Sequence, residues 1–361
     1  MWVDEGTRGL LSAEMARTTF CFFFLCLVAL LHPSYSEVVT LGKWNVPAMF
    51  VFGDSVVDGG NVVFVYPNCT TATLPYGIDF PTGPTRRLNN GKNPADFLSH
   101  LVGIPHFLPA AMDPKTTVET ILYGVNCAYS GSGILDSPPG TLFISLSQQI
   151  KHFQTITIPE LRTQFDNRKE LSSYLAKSIF VFNSGGNDLE QECSGPVQRE
   201  KCVCDEFNES LLANFTHELK IVYNLGARKF VLFGIQANGC NPQYKATSSI
   251  DGMKKSLPGS SFVFLNTYGI VRNVVNQSCC TVSTEILGEP CVQYSIPCKH
   301  RSTYMYYDGA HLTQALYRHL VKKAYTSNLP TLQTFLDLRS KPFQRQLELG
   351  EEVKGHERVD N

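Results

Sequence analysis

Charge of one sign is what this sequence most conspicuously lacks. Over 361 residues, 31 lysines and arginines face 32 aspartates and glutamates, a net charge of −1. No block of like charges runs through the body of the chain. The electrostatic footprint that holds nucleic acid or an anionic membrane surface is missing, and no nucleic-acid partner is expected. Long apolar runs are missing as well. The longest, Phe20 to Leu31, falls short of the roughly 20 residues of a spanning helix, so no stable membrane span is expected. No internal repeat and no interdomain linker divides the chain, which is long enough for one large α/β core. Histidine is sparse, and none stands at zinc-ligand spacing from Cys193, Cys202 and Cys204.

What is present begins at the N-terminus. The apolar run follows Arg17 and ends near the small residues Ser34 and Ser36, the layout of a cleaved signal peptide. Residues 1–36 are assigned to it, with Met15 as an alternative start that would make residues 1–14 an upstream extension. An uncleaved signal anchor is the less favoured reading. The expected location is extracellular. Twelve cysteines suit an oxidising compartment. Cys21 and Cys26 leave with the signal, and ten remain: Cys69, Cys127, Cys193, Cys202, Cys204, Cys240, Cys279, Cys280, Cys291 and Cys298. Most are expected to pair, in a connectivity left open. Disulfides are favoured over zinc at Cys193, Cys202 and Cys204, so no metal site is expected. Glycosylation sequons at Asn68, Asn208, Asn214 and Asn276 agree with secretion, and all lie outside the expected core strands.

Short apolar runs alternate with segments of helical period. Strands are expected at 48–52, 120–127, 178–183, 229–235 and 261–265. Helices are expected at 94–102, from 147, over 167–177, at 209–225 and from Thr313 to about Tyr325. The 209–225 segment carries Leu211, Phe215, Leu219 and Val222 on one face and closes at Gly226. This alternation implies a three-layer α/β/α domain over 37–338, with a central parallel sheet of about five strands. Residues 56–92 read as a long loop, and 279–298 as an irregular Cys-rich stretch. Residues 339–361 read as a charged, disordered tail.

Three expected strands run straight into polar, glycine-containing stretches. These are Gly53-Asp54-Ser55, Ser130-Gly131-Ser132-Gly133 and Gly185-Gly186-Asn187-Asp188. Sites in open parallel sheets form outside the carboxyl ends of the strands, so three loops should meet at one edge. Ser55 would open the following helix, where unpaired N–H groups favour negative charge. Near the C-terminus, Asp308-Gly309-Ala310-His311 sets a carboxylate three residues before an imidazole, just ahead of a helix. The other eight of the nine histidines lack such a partner and are read as structural or surface residues.

In this order, the stretches resemble the sequence blocks of the GDSL esterase/lipase family, the SGNH hydrolases, in its plant-type secreted branch. Gly53-Asp54-Ser55-Val56 stands for Gly-Asp-Ser-Leu. Gly124-Val125-Asn126 through Gly131-Ser132-Gly133 is similar to Gly-Val-Asn-Phe-Ala-Ser-Gly-Gly-Ala-Gly. Gly185-Gly186-Asn187-Asp188 matches Gly-x-Asn-Asp, and Asp308 to Thr313 matches Asp-x-x-His-Pro-Thr. Pro75-Tyr76-Gly77-Ile78-Asp79-Phe80-Pro81 and Leu225-Gly226-Ala227-Arg228-Lys229 extend the likeness across about residues 46–328. The resemblance implies a flavodoxin-like sheet and a Ser55–His311–Asp308 triad. It also implies an oxyanion hole formed by the N–H groups of Ser55 and Gly131 and the amide of Asn187. It implies no metal and no organic cofactor. Leu312 stands where the family has proline, which is expected to loosen the loop. No Gly-x-Ser-x-Gly elbow surrounds Ser55.

The reaction so implied is hydrolysis of a small-molecule or polymer-linked carboxylic ester by a secreted serine esterase or lipase. An acyltransferase would use the same residues, and a non-catalytic binding or defence protein would need only the scaffold. The acyl and alcohol groups, and the oligomeric state, are not assigned.

Overall fold

Phenylalanines on four of the five strands give the sheet a largely aromatic face. The computed structural model describes residues 46–136, 143–193, 205–234, 252–265, 278–285 and 288–326. Five strands, β1 (Met49–Gly53), β2 (Gly124–Asn126), β3 (Ile179–Asn183), β4 (Lys229–Phe233) and β5 (Ser261–Leu265), pair in parallel in the order β2-β1-β3-β4-β5. The register sets Phe50 beside Phe180, Phe180 beside Phe230 and Phe230 beside Phe262. Their ring centroids lie 5.1, 6.3 and 4.9 Å apart. Phe52 stacks on Phe182 at 5.1 Å, and Phe153 meets Phe50 and Phe52 edge-on at 5.0 and 5.4 Å. Each such pair contributes about 0.5–1.5 kcal/mol beyond its buried area. Strand side chains alternate between faces, so the opposite face carries Met49, Val51, Val181, Val231 and Val263, all buried. A sheet buried on both faces needs helices on both.

The longer helices are α1 (Pro94–Leu101), α2 (Leu146–His152), α3 (Arg168–Lys177), α4 (Gly186–Cys193), α5 (Asp205–Leu225) and α6 (Gln314–Thr326). Asn93, Ser145 and Asn167 cap α1, α2 and α3 through their side-chain oxygens. A π turn over Phe153–Thr157 continues α2 into an α segment at Ile158–Arg162. Leu219 and Val222 of α5 are fully buried in the main core, as their spacing implies.

Two expectations change. The second strand begins only at Gly124, because Val118–Ile121 is a helical turn. Thr117 N–H donates to Thr120 Oγ1 at 3.0 Å there. Gly124 then enters the sheet at φ +109°, where a Cβ would lie 1.8 Å from the Met49 carbonyl oxygen. The 56–92 loop also holds a short helix at Val62–Val65 and a 3₁₀ turn at Thr70–Ala72.

Cys279 pairs with Cys298 and Cys280 with Cys291, while Cys69 and Cys127 are free thiols. Cys127 follows β2 into the core, and burial pushes its thiol pKa far up. Cys202, Cys204, Cys240 and the Cys193 side chain lie outside the described residues. Of the sequons, Asn68 and Asn214 are exposed and Asn208 is half-buried, while Asn276 lies outside the described residues. The expected signal segment and the charged tail lie outside them too. Among the described residues, no helix is long and apolar enough to cross a membrane.

Candidate active site

The site begins where β1 runs out beside β3. Gly53 lies opposite Asn183, and a Cβ on it would fall 2.0 Å from the Asn183 carbonyl oxygen, at φ +144°. Only glycine allows that approach. The same carbonyl accepts Asp54 N–H at 2.9 Å. The buried Asp54 carboxylate accepts Val56 N–H at 3.0 Å and Asn183 Nδ2 at 2.7 Å. Burial raises its pKa to about 7 against those donors. Ser55 is thereby held half-exposed on a single turn, with Val57 and Asp58 N–H groups donating to the Asp54 carbonyl.

That turn does not open a helix, contrary to the sequence expectation. Asp58 diverts the chain: its carboxylate accepts the N–H groups of Gly60 and Asn61, each at 2.7 Å. It also accepts Ser130 N–H at 3.0 Å, tying the Ser55 turn to the Gly131 loop. Burial lifts the Asp58 pKa to about 6, with the N–H donors pulling the other way.

His311 reaches Ser55 from the far end of the sequence. Its Nε2 lies 2.8 Å from Ser55 Oγ, and its Nδ1 lies 2.9 and 3.0 Å from the two Asp308 oxygens. An ionised Asp308 fixes the proton on Nδ1, which leaves Nε2 to accept from the hydroxyl. Asp308 is fully buried and also accepts His311 N–H at 2.7 Å and Ala310 N–H at 2.9 Å. Burial works against the imidazolium. That is the largest single effect, but the Asp308 charge and hydrogen bond, with smaller help from Asp54 and Glu190, together outweigh it and hold His311 above its ordinary pKa.

Gly131 follows β2 at φ +79°, and the Phe143 ring packs over its Cα. Asn187 lies in the first turn of α4, and its Nδ2 donates to the Ser132 carbonyl at 2.8 Å, with no partner for the second amide hydrogen among the described residues. Asp188 accepts Ile134 N–H at 2.8 Å and Leu135 N–H at 2.9 Å, fixing the segment after Gly131. Gln149 of α2 spans both loops, bonding Gly53 N–H and Gly53 carbonyl, each at 2.9 Å, and Ser132 Oγ at 2.8 Å. The backbone N–H groups of Ser55 and Gly131 have no hydrogen-bond partner among the described residues. Two unpaired donors near a hydroxyl–imidazole–carboxylate relay can take up negative charge as that hydroxyl attacks a carbonyl. No cluster of three or more His, Cys, Asp or Glu among the described residues is arranged to hold a metal ion.

A family model for GDSL-like lipases and acylhydrolases matches residues 49–324. The chain belongs to this family. It is thus a hydrolase of carboxylic esters. Similar proteins include GDSL esterase/lipases of Arabidopsis thaliana. One is 32% identical over 330 residues, covering 80% of this chain and 87% of the relative. A second is 32% identical over 326 residues, covering 78% and 84%. A third is 30% identical over 335 residues, covering 81% and 90%. In this GDSL hydrolase, Leu312 takes the place of the family's proline in a packed loop. It is buried beside Met305 and Tyr317, and its N–H, which proline would lack, donates to the Tyr317 hydroxyl at 3.3 Å. The supporting roles of Asp58 and Gln149 have no signal in the sequence motifs described above.

Proposed function

We propose that this GDSL hydrolase is a secreted serine esterase or lipase that works through an acyl-enzyme on Ser55. Ser55 Oγ attacks the ester carbonyl while His311 Nε2 takes its proton, and Asp308 holds the imidazole in the required tautomer. The oxyanion is met by the N–H groups of Ser55 and Gly131 and by Asn187 Nδ2. His311 then returns the proton to the departing alcohol, and water, activated by the same imidazole, releases the acid. The observation that carries this reading is the 2.8 Å contact of Ser55 Oγ with His311 Nε2, at the sheet edge where two N–H donors have no partner among the described residues. The test is labelling of the secreted protein with a serine-directed fluorophosphonate and mapping of the adduct. A single adduct on Ser55, abolished by Ser55→Ala, supports the reading, and a folded protein that does not label refutes it. An alcohol acceptor in place of water would give transfer from the same intermediate, and product analysis with added alcohols separates the two.

His311 must be neutral to act as base, so kcat/KM should fall about tenfold per pH unit below its pKa. Because that pKa is raised, the midpoint should lie above the ordinary value of 6.5. Stability moves in the opposite sense. Asp54 and Asp58 titrate in the folded state at about 7 and about 6 rather than 3.8. Their contribution is fully present below pH 3.8 and is lost as pH rises through the folded values. A raised His311 likewise contributes below 6.5 and loses its contribution above. Thermal melts from pH 5 to 8 should therefore decline while activity climbs.

Gly131→Ala should lower kcat by roughly a hundred- to a thousandfold. The new Cβ would crowd the exposed Phe143 ring, and at a φ of +79° a side chain strains the turn that aims this N–H. An unchanged kcat would remove Gly131 from the oxyanion hole.

A further inference from the structure

We propose that Tyr76 is a positioning residue of this site, which fixes the Asp308 carboxylate and moderates the charge it presents to His311. The proposal rests on the serine-hydrolase reading above. Tyr76 is 232 residues from Asp308 in sequence, yet its hydroxyl donates to Asp308 Oδ2 at 2.7 Å. The same oxygen meets His311 Nδ1 at 2.9 Å. The phenol and the imidazole therefore share one carboxylate oxygen, while Oδ1 also takes the N–H groups of His311 and Ala310. A neutral donor on that oxygen spreads its negative charge and weakens its hold on an imidazolium.

The direction of the Tyr76 O–H is itself fixed. Its oxygen accepts Cys291 N–H at 2.9 Å, so the phenol proton is left to point at Asp308. Cys291 is held by its disulfide to Cys280, whose N–H donates to the Tyr307 carbonyl at 3.1 Å. The Tyr76 ring is fully buried and packs edge-on against Tyr307 at 5.9 Å, and the Tyr307 hydroxyl donates to the Pro75 carbonyl. Burial and the Asp308 charge push the Tyr76 phenol pKa well up, so it stays a donor through the working pH range. The charged groups that bear on His311 are Asp308, Asp54 and Glu190. Tyr76 bonds to the one of these that touches the ring.

The experiment compares acidic limbs of kcat and kcat/KM for wild type, Tyr76→Phe and a protein carrying 3-fluorotyrosine at position 76. Tyr76→Phe keeps the ring and removes the donor. Its kcat should fall roughly ten- to a hundredfold with KM little changed, and its limb should move to higher pH. Fluorotyrosine is a more acidic phenol and a stronger donor, so its limb should move to lower pH. A merely structural Tyr76 would change the melting temperature and leave the limbs in place. Coincident limbs in all three proteins overturn the proposal, and if Tyr76→Phe does not fold, the fluorotyrosine protein decides alone. Ser55→Ala, assayed alongside, separates the two levels. If it keeps turnover, the serine reading fails and this proposal with it. If it is inactive while the limbs coincide, only the role of Tyr76 fails.

Discussion

Ser55→Ala is expected to lower ester turnover by roughly a millionfold, and adding His311→Ala to it should cost almost nothing more. The reason is the single 2.8 Å contact between Ser55 Oγ and His311 Nε2. A base without its nucleophile has no proton to take, and a hydroxyl without its base attacks at a small fraction of the normal rate, so the two losses are one loss counted once. Residual rate should come from the N–H donors of Ser55 and Gly131, which survive both substitutions. Ser55 is also the clean position to test. It is half-exposed, and alanine there removes one side-chain hydrogen bond, so the melting temperature should hardly move. Asp308→Asn would not be clean. That carboxylate is fully buried and accepts two backbone N–H groups, a phenol and an imidazole, so an amide there would turn a donor against donors. Single- and double-variant kinetics, with melts of each protein, decide the matter. Losses that add in free energy would mean that Ser55 and His311 act independently, against the relay.

The edge of this site is legible in the sequence because each inner strand ends in a sharp change of composition. Phe-Val-Phe gives way to Gly53-Asp54-Ser55, and Phe-Val-Phe again to Asn183-Ser184-Gly185. An apolar strand cannot continue into such residues, and a parallel sheet must place both ends on the same side. The extent of β2 is not legible. Thr120-Ile121-Leu122-Tyr123 has the β-branched and aromatic content of a strand, yet the Thr117–Thr120 capping bonds close a helical turn there. Local hydrogen bonding outweighed propensity. The turn after Ser55 is misread for a similar reason: the Asp58 carboxylate captures the N–H groups of Gly60 and Asn61 that a continuing helix would use. Least legible are groups acting across long sequence distances. Gln149 bonds Gly53 from 96 residues away, and Asp188 bonds Leu135 from 53. No periodicity or spacing announces a side chain whose partner is a distant backbone N–H.

The other large effect is expected one residue before the site motif turns polar. Gly53→Ala should prevent accumulation of folded protein, with a cost on the order of 3 kcal/mol or more. Two penalties coincide there. At φ +144° the backbone lies where residues with side chains rarely go, and the new Cβ would stand 2.0 Å from the Asn183 carbonyl oxygen. That oxygen cannot retreat. It belongs to β3 in the middle of the five-stranded sheet and already accepts Asp54 N–H at 2.9 Å. Gly53 cannot retreat either, since its own N–H and carbonyl are both bonded to Gln149. Gly83→Ala provides the control. Its φ is +83°, but a Cβ there meets nothing within 4 Å, so only the conformational penalty of about 1–2 kcal/mol applies. Thermal or denaturant unfolding of the two variants separates strain from collision. If Gly53→Ala melts no lower than Gly83→Ala, the β1–β3 contact yields to a methyl group and does not fix the position of Ser55. If Gly53→Ala alone fails to fold, the close approach of the two strands is what sets the reactive turn at the sheet edge, and the glycine before Asp54-Ser55 is required for the fold before it is required for the chemistry.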